Sequence, residues 1–179
     1  MTSYIALLRG VNVGGNKMVP MADLRAMLEK MGFAGAKTLL QSGNAVFKTK
    51  AQAPAKLEQL LEHEIGKRLG LTCDCHVRTA DEWEAVIAAN PLKKEAQADP
   101  ARTIVTFYRA PLEPALVKAA QAAIEGPEIV RADGRHLYTY FPNGQADSKA
   151  SIAVGKVLRV QGTGRNWNTV LKLAALARQ

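Results

Sequence analysis

The sequence predicts an α+β protein with two lobes, the first of ferredoxin-like order βαββαβ and the second a related βαββα unit ending in an extra C-terminal helix. Short apolar runs alternate with segments whose apolar residues recur every three or four positions. Proline or glycine marks most of the transitions between them. Strand-like runs are joined by tight turns more often than by long crossovers, which disfavours a doubly wound parallel sheet.

The first lobe, residues 1–92, has strands and helices that are bounded by turn-forming residues. Proline opens each of its two main helices, where its missing N–H costs little, and glycine closes them. Ser42-Gly43-Asn44 joins two strands as a tight turn, since glycine supplies the positive φ that a hairpin needs. The predicted elements are a strand at 3–8, a helix from Pro20 to Gly32, strands at 37–41 and 45–49, a helix from Pro54 to Gly70, and a strand at 71–77.

The second lobe, residues 93–179, repeats this order but replaces the last strand with a helix. We place the boundary in the polar connector 93–101, and the length of the chain also fits one compact unit with a shared core. Asp133-Gly134 between two β-rich runs indicates a two-residue hairpin. The other predicted elements are a helix at 81–89 capped by Thr79, a strand at 103–108, a helix at 114–124, strands at 128–132 and 135–141, and helices at 148–160 and 167–177.

The composition is that of a globular, basic protein. Hydrophobic residues make up 47% of the 179 positions and charged residues 22%, which excludes the disordered class. A net charge of +8 favours anionic partners such as nucleotides, phosphates or nucleic acid, or describes a protein that is merely basic. A signal-peptide pattern and an apolar run of membrane length are both missing, so we expect a cytoplasmic protein without membrane association.

The charge is unevenly distributed along the chain. The sequence has no acidic residue before Asp23 and none after Asp147, whereas both ends carry lysine and arginine. If the two ends meet in the fold, they form a positive patch.

The N-terminal loop after the first strand is the best candidate for a ligand site. Arg9, Asn12 and Lys17 offer positive charge and amides, and the backbone N–H groups of Gly14 and Gly15 could close over an anion. The alternative is a loop whose glycines serve only turning and close packing.

The loop is not a phosphate loop of the nucleotide-hydrolase kind. Gly10 and Gly15 have the right spacing, but Asn16 stands where that motif has its lysine. Met18 follows where a hydroxyl would bind magnesium, and the helix starts late, at Pro20. A dinucleotide-binding glycine fingerprint is also absent.

Two further polar segments are candidates. Ser42 and Asn44 favour turn stabilisation, with ligand contact second, and they lie near Arg9 if the first two strands are adjacent and parallel. Near the C-terminus, Arg165 supplies a fork for phosphate or carboxylate, and Asn168 belongs to the first turn of the last helix. In the same segment Asn166 or Thr163 is a candidate helix cap, and Trp167 either stacks on a base or belongs to the core.

We predict no metal site and identify no catalytic residue or cofactor. Cys73 and Cys75 would face one side of a strand while Asp74 and His76 face the other, and no second pair of ligands has suitable spacing. The two cysteines cannot form a disulfide framework. Neither a Ser-His-Asp arrangement nor a catalytic carboxylate pair is recognisable.

Three separated motifs closely resemble one family. They are Tyr4 to Gly15, Gln41 to Phe47, and Arg165 to Leu173, and together they resemble the domain of unknown function 1697 family over nearly the whole chain. The resemblance implies a cytoplasmic α+β protein of two lobes, and it implies no particular activity.

The residues favour a binding module for a phosphorylated or otherwise anionic ligand, either a nucleotide or a nucleic acid. RNA bound on a ferredoxin-like sheet would need exposed aromatic side chains, and only Phe47 and Phe107 are candidates. One alternative is an enzyme that acts on a small anionic substrate in a cleft between the lobes. Another is a basic protein-interaction domain.

Overall fold

A computed structural model describes residues 1–15 and 17–179 of the chain. Asn16, which stands where a phosphate loop has its lysine, lies outside the described residues. The chain divides into two compact units. The first unit contains Met1–Ala85 and Lys172–Gln179, and the second contains Val86–Leu171.

The first unit has the predicted βαββαβ order. Its strands form one antiparallel sheet in the order β2-β3-β1-β4, as a ferredoxin-like unit requires. The elements are β1 (Thr2–Leu8), α1 (Met21–Lys30), β2 (Ala34–Leu39), β3 (Asn44–Thr49), α2 (Pro54–Leu69) and β4 (Cys75–Thr79), followed by α3 (Ala80–Ala88).

The expectation that the first two strands lie side by side is wrong. β3 pairs with both β1 and β2 and therefore separates them. The hairpin between β2 and β3 nevertheless lies at the end of β1 that precedes Arg9, because Leu7 is paired with Asn44. The two antiparallel pairings give β1 and β2 the same direction, which preserves this placement.

The central strand β1 is buried on both sides. Tyr4 packs with Phe47 and with residues of the two helices, including Leu28 and Leu57, in one apolar cluster. On the opposite side of the sheet, Ile5 is fully buried as well. Because β1 is buried on both sides, a ligand can reach this strand only at its ends.

The second unit has the same sheet order, β6-β7-β5-β8, and is again antiparallel. The fold class is therefore confirmed: two four-stranded antiparallel sheets with helices, and a helix after the last strand. The elements are α4 (Lys93–Ala98), β5 (Thr103–Phe107), α5 (Pro114–Ala122), β6 (Ile129–Asp133), β7 (His136–Tyr140), α6 (Ala150–Leu158), β8 (Thr163–Asn166) and α7 (Trp167–Ala177).

Strand β8 corrects the sequence-based prediction, which gave the second lobe no final strand. The segment was expected to begin the last helix, with Asn166 or Thr163 as its cap, and glycine and asparagine are uncommon in strands. The segment instead pairs with β5, and Arg165 lies opposite Val105. Four residues at the outer edge of a sheet are too few to show a clear alternating pattern.

The predicted polar connector 93–101 is also corrected, because it contains the short helix α4. The helix is held by one buried alanine, Ala96, whose N–H donates to the carbonyl of Leu92 at 3.0 Å. A single apolar anchor gives no helical periodicity, so the sequence did not indicate a helix here.

The two units share their strand order and also carry an arginine at the equivalent position of the outer strand. Arg78 in β4 is paired with Ile5 of the central strand, and Arg165 in β8 is paired with Val105 of the corresponding strand. In both places the outer strand runs directly into a helix. Within the described residues, no helix is long and apolar enough to cross a membrane.

Candidate functional site

Three segments of the first unit meet at the carboxyl end of β1. The N–H of Leu8 donates to the carbonyl of Gly43 at 2.8 Å, which joins the strand to the hairpin turn. The N–H of Arg9 donates to the carbonyl of Asp74 at 2.9 Å, which joins it to the segment before β4. The loop after β1 therefore has fixed neighbours on two sides. We call the described residues 9–15 and 17–18 the β1 loop.

Asn12 holds the β1 loop in shape. Its Nδ2 donates to the carbonyls of Val19 at 2.9 Å and Gln41 at 2.6 Å, and its Oδ1 accepts the N–H of Val19 at 2.7 Å. Its φ of 54° is a left-handed conformation that asparagine adopts more readily than most residues. Asn12 was predicted as a ligand contact, but its amide is used for these loop contacts.

The two cations of the β1 loop differ in their surroundings. Arg9 forms an ion pair with Asp74 at 3.3 Å, and both side chains are more than a third exposed. Such a pair is weak in water and leaves the guanidinium accessible to a competing anion. Lys17 is exposed, and its charge contributes to the lowered pKa of Cys73, after the larger effect of the hydrogen bond from Cys75.

The middle of the β1 loop is open to solvent. Gly14 and Gly15 have φ values of 60° and 77°, and a Cβ added to either would meet no atom within 4 Å. The flanking apolar side chains Val13 and Met18 are 65% and 64% exposed. A ligand could therefore approach the backbone here without displacing side chains.

The turn between β2 and β3 is stabilised from within. The Nδ2 of Asn44 donates to the carbonyl of Leu39 at 2.8 Å and to the Oγ of Ser42 at 2.9 Å, and Asn44 is fully buried. A Cβ at Gly43 would lie only 2.5 Å from Val11, so the turn packs tightly against the loop. These contacts support the turn-stabilising interpretation of both polar residues, while Ser42 remains exposed.

The third predicted segment belongs to the second unit. Arg165 is buried in β8, and its Nη1 donates to Thr163 Oγ1 and to the carbonyl of Gly164, both at 2.8 Å. Burial lowers the pKa of Arg165 to about 10. Asn168, in the first turn of α7, is exposed.

The residues around this segment have structural roles. Asn166 caps α7, because its Oδ1 accepts the N–H of Thr169 at 2.9 Å. Trp167 is 7% exposed, which supports the core interpretation over base stacking. Phe47 and Phe107, the two candidates for stacking on RNA, are fully buried. Neither of these two rings is therefore available to stack on a base.

The cysteine segment is compact and buried. Cys73 and Cys75 are free thiols, and the hydrogen bond between them raises the pKa of Cys75 and lowers that of Cys73. Among the described residues, no group of three or more histidine, cysteine, aspartate or glutamate side chains is arranged to hold a metal ion.

A row of carboxylates along β4 was not predicted from the sequence. The outward-facing N–H groups of Cys75 and Val77 donate to Glu62 and Glu58 of α2, both at 2.8 Å. Thr79 donates likewise to Glu82 at 2.8 Å and closes a capping box with it. The spacing of two glutamates four residues apart on one helix was the available signal. We call the outer side of β4 the β4 edge.

The comparisons with known proteins concern the family and the fold. The family model described as "Protein of unknown function (DUF1697)" matches residues 1–138, well over half of the chain. The chain therefore belongs to this family, although the C-terminal motif around Arg165 lies beyond the matched residues. Among curated proteins, none matches the chain.

A solved structure has the same fold. It is a conserved bacterial protein, SP0830 from Streptococcus pneumoniae, with a TM-score of 0.73 and 24% sequence identity over 98% of both chains. At this level of identity the similarity establishes the fold alone.

Proposed function

We propose that this member of the DUF1697 family is a binding module whose β1 loop takes a small anionic ligand, such as a phosphorylated metabolite. The observation that carries the proposal is the combination of two accessible cations, Arg9 and Lys17, with an open Gly14-Gly15 backbone on a loop fixed by Asn12. Basic side chains and backbone amides at one place suit phosphate or carboxylate.

The fixed shape of the β1 loop supports this proposal. Asn12 ties the loop to Val19 and to the hairpin turn, so its conformation does not have to be ordered when a ligand binds. Binding to a preorganised site avoids an entropic cost that a flexible loop would incur. The β1 loop contains no acidic residue, and Asp74 meets it through a weak surface ion pair with Arg9.

A small ligand is favoured over an extended nucleic acid. Single-stranded RNA on a sheet of this kind is normally held by exposed aromatic rings, and Phe47 and Phe107 are buried. The accessible features of the β1 loop recognise charge, and the exposed Val13 and Met18 add only apolar contact. The ligand would therefore be recognised mainly through its anionic group.

The test is calorimetric titration of the full chain with inorganic pyrophosphate, with sodium chloride at matched ionic strength as the reference. We expect Lys17→Ala to weaken binding about tenfold, the effect of losing one charge-assisted hydrogen bond. Lys56→Ala is the matched control, because Lys56 is an exposed lysine at the start of α2, near the opposite end of the sheet.

Equal weakening by both substitutions would indicate nonspecific attraction to a basic protein and would overturn the proposal. Unchanged binding in Lys17→Ala would also overturn it. Circular dichroism of both variants establishes that the exposed substitutions leave the fold intact.

A further inference from the structure

A cleft in the second unit lies between α5 and β6, which is one of the two outer strands of its sheet. We call it the α5–β6 cleft. Its volume of about 410 Å³ is that of a small-ligand pocket. Four residues spaced as one face of a helix form the side of the cleft that belongs to α5: Pro114, Val117, Lys118 and Gln121. The site is therefore built on regular elements of a single unit.

Both ends of the cleft are held by hydrogen bonds. At one end, the N–H of Leu112 donates to the carbonyl of Gly134 at 2.9 Å. At the other end, Gln121 Oε1 accepts the N–H of Val130 at 2.7 Å, and Gln121 Nε2 donates to the carbonyl of Glu128 at 3.2 Å. These bonds fix the spacing between the helix and the strand, so a ligand does not have to order the site when it binds.

The outer side of β6 has one open residue in this cleft. Val130 directs its backbone groups away from β7, because its N–H goes to Gln121 and its carbonyl accepts Arg131 Nη1 at 2.8 Å. Backbone direction alternates along a strand, so Ala132 directs its N–H and C=O to the same side. Among the described residues, nothing bonds these two groups. Ala132 therefore offers one donor and one acceptor, which a single residue of an extended peptide can complement.

The lining of the cleft combines apolar surface with positive charge. Leu112, Val117 and Ala132 are partly buried and pack against the apolar core of the unit. Lys118 and Arg131 are exposed, and neither forms an ion pair with an acid of the described residues. The described lining residues include no acid. A ligand that fits this cleft carries an anionic group and an apolar group together.

We propose that the α5–β6 cleft binds the carboxyl terminus of a peptide whose last residue is apolar. The N–H of that residue would donate to the carbonyl of Ala132, and its carboxylate would accept the N–H of Ala132. The same carboxylate would meet the charges of Lys118 and Arg131, while the side chain would contact Leu112 and Val117. This site belongs to the second unit and is independent of the anion site proposed for the β1 loop.

The end of a peptide is favoured over a longer strand that pairs along β6. The outward groups of Val130 are already used by Gln121 and Arg131, so only Ala132 is open for backbone pairing. One open residue beside two cations matches one residue that carries a free carboxylate.

The experiment is a titration of the isotope-labelled full chain with the peptide N-acetyl-glycyl-seryl-valyl-valine, followed by backbone amide NMR. We expect amide shifts centred on Val117, Lys118 and Ala132. The same peptide with a terminal amide should bind about tenfold more weakly, because it loses the charge-assisted hydrogen bonds. Isovalerate has the carboxylate and the apolar group without the peptide N–H, and it should also bind about tenfold more weakly.

A pair of lysine variants tests the position of the carboxylate. Lys118→Ala should weaken binding of the free-acid peptide about fivefold or more. Lys94→Ala is the matched control, because Lys94 is an exposed lysine of α4 that does not line the cleft, and it should change binding less than about twofold.

Any of four results contradicts the proposal. The first is the absence of shifts around the cleft with the free-acid peptide. The second is equal binding of the free-acid and amide peptides, which would remove the role of the carboxylate. The third is binding of isovalerate as tight as that of the peptide, which would assign the cleft to small carboxylic acids. The fourth is an equal effect of the two lysine substitutions, which would indicate nonspecific attraction to a basic protein.

Discussion

The two outer strands β4 and β8 are equivalent in register but differ in how their edges are satisfied. At the β4 edge, Glu58, Glu62 and Glu82 accept three backbone N–H groups. In β8, Gly164 is exposed, and the helix before this strand, α6, carries no acid. An open strand edge invites pairing with another chain, and proteins normally protect it. The comparison shows that carboxylates protect the outer side of β4, and that among the described residues α6 supplies none to β8.

The buried arginines of the two strands, Arg78 and Arg165, also differ in their surroundings. The Arg78 guanidinium lies 3.7 Å from the Glu58 carboxylate, and both side chains are almost fully buried. Burial alone accounts for the lowered pKa of Arg165. Glu58 therefore has two tasks in the first unit, as acceptor for a strand N–H and as anion beside a buried cation.

The largest effect is expected from Glu58→Ala, which opens the β4 edge. The substitution leaves Arg78 buried without this carboxylate and removes the acceptor of the Val77 N–H. Loss of one partner of a buried ion pair costs about 3–5 kcal/mol in unfolding free energy. Urea unfolding, followed through the amide signals of β1 and β4, measures the loss.

Glu58→Gln is the matched control, because its amide oxygen still accepts the Val77 N–H while the charge is removed. We expect its unfolding free energy to lie between that of the wild type and that of Glu58→Ala. An alanine variant destabilised by less than about 1 kcal/mol would mean that the carboxylates do not stabilise the β4 edge.

A smaller effect is expected from alkaline pH, and it is specific to the second unit. Burial raises the pKa of Tyr108 to about 12, and burial followed by the charge of Asp133 raises the pKa of Tyr138. Above pH 10, the unfolded chain loses the phenol proton while the folded chain keeps it, so unfolding becomes easier. For Tyr108 this loss of unfolding free energy reaches about 2–3 kcal/mol by pH 12 and is absent below pH 10.

The difference between the wild type and Tyr108→Phe isolates this contribution. The lowered pKa of Arg165 acts in the opposite direction over the same pH range, and it is present in both proteins. Unfolding of the second unit between pH 9 and 12, measured through amide signals of β5 and β7, should depend less steeply on pH in the variant. Identical pH dependence in the two proteins would contradict burial of this phenol.

The sequence predicts most of this fold because most elements are marked locally. α1, α2 and α5 have proline at or just before their first residue, and the β6–β7 hairpin has its glycine turn. β8 is not marked in this way, since it forms by pairing with β5, where Arg165 lies opposite Val105, which is distant in sequence. Tertiary pairing of this kind overrides local propensity.

The candidate site is predictable in part. The exposed cations and glycines of the β1 loop follow from residue type, and their position follows from the order of the strands. The structural role of Asn12 does not follow from the sequence, because its side chain bonds the carbonyls of Val19 and Gln41, which become neighbours only in the fold. The acceptors at the β4 edge are hidden for the same reason, as Glu58 is nineteen residues away from the Val77 N–H that it accepts.

The smallest effects concern two glycines that precede β8, Gly162 just before the strand and Gly155 within α6. A Cβ at Gly162 would lie 2.7 Å from the carbonyl oxygen of Phe107 and 2.8 Å from Tyr108, so Gly162→Ala should lower the unfolding free energy by about 1–3 kcal/mol through overpacking. Gly155→Ala, within α6 and with no atom within 4 Å of its added Cβ, should raise it by about 0.5–1 kcal/mol. Thermal unfolding of both variants measures whether the two changes in unfolding free energy have opposite signs. If Gly162→Ala were neutral, the close approach of this segment to β5 would be wrong.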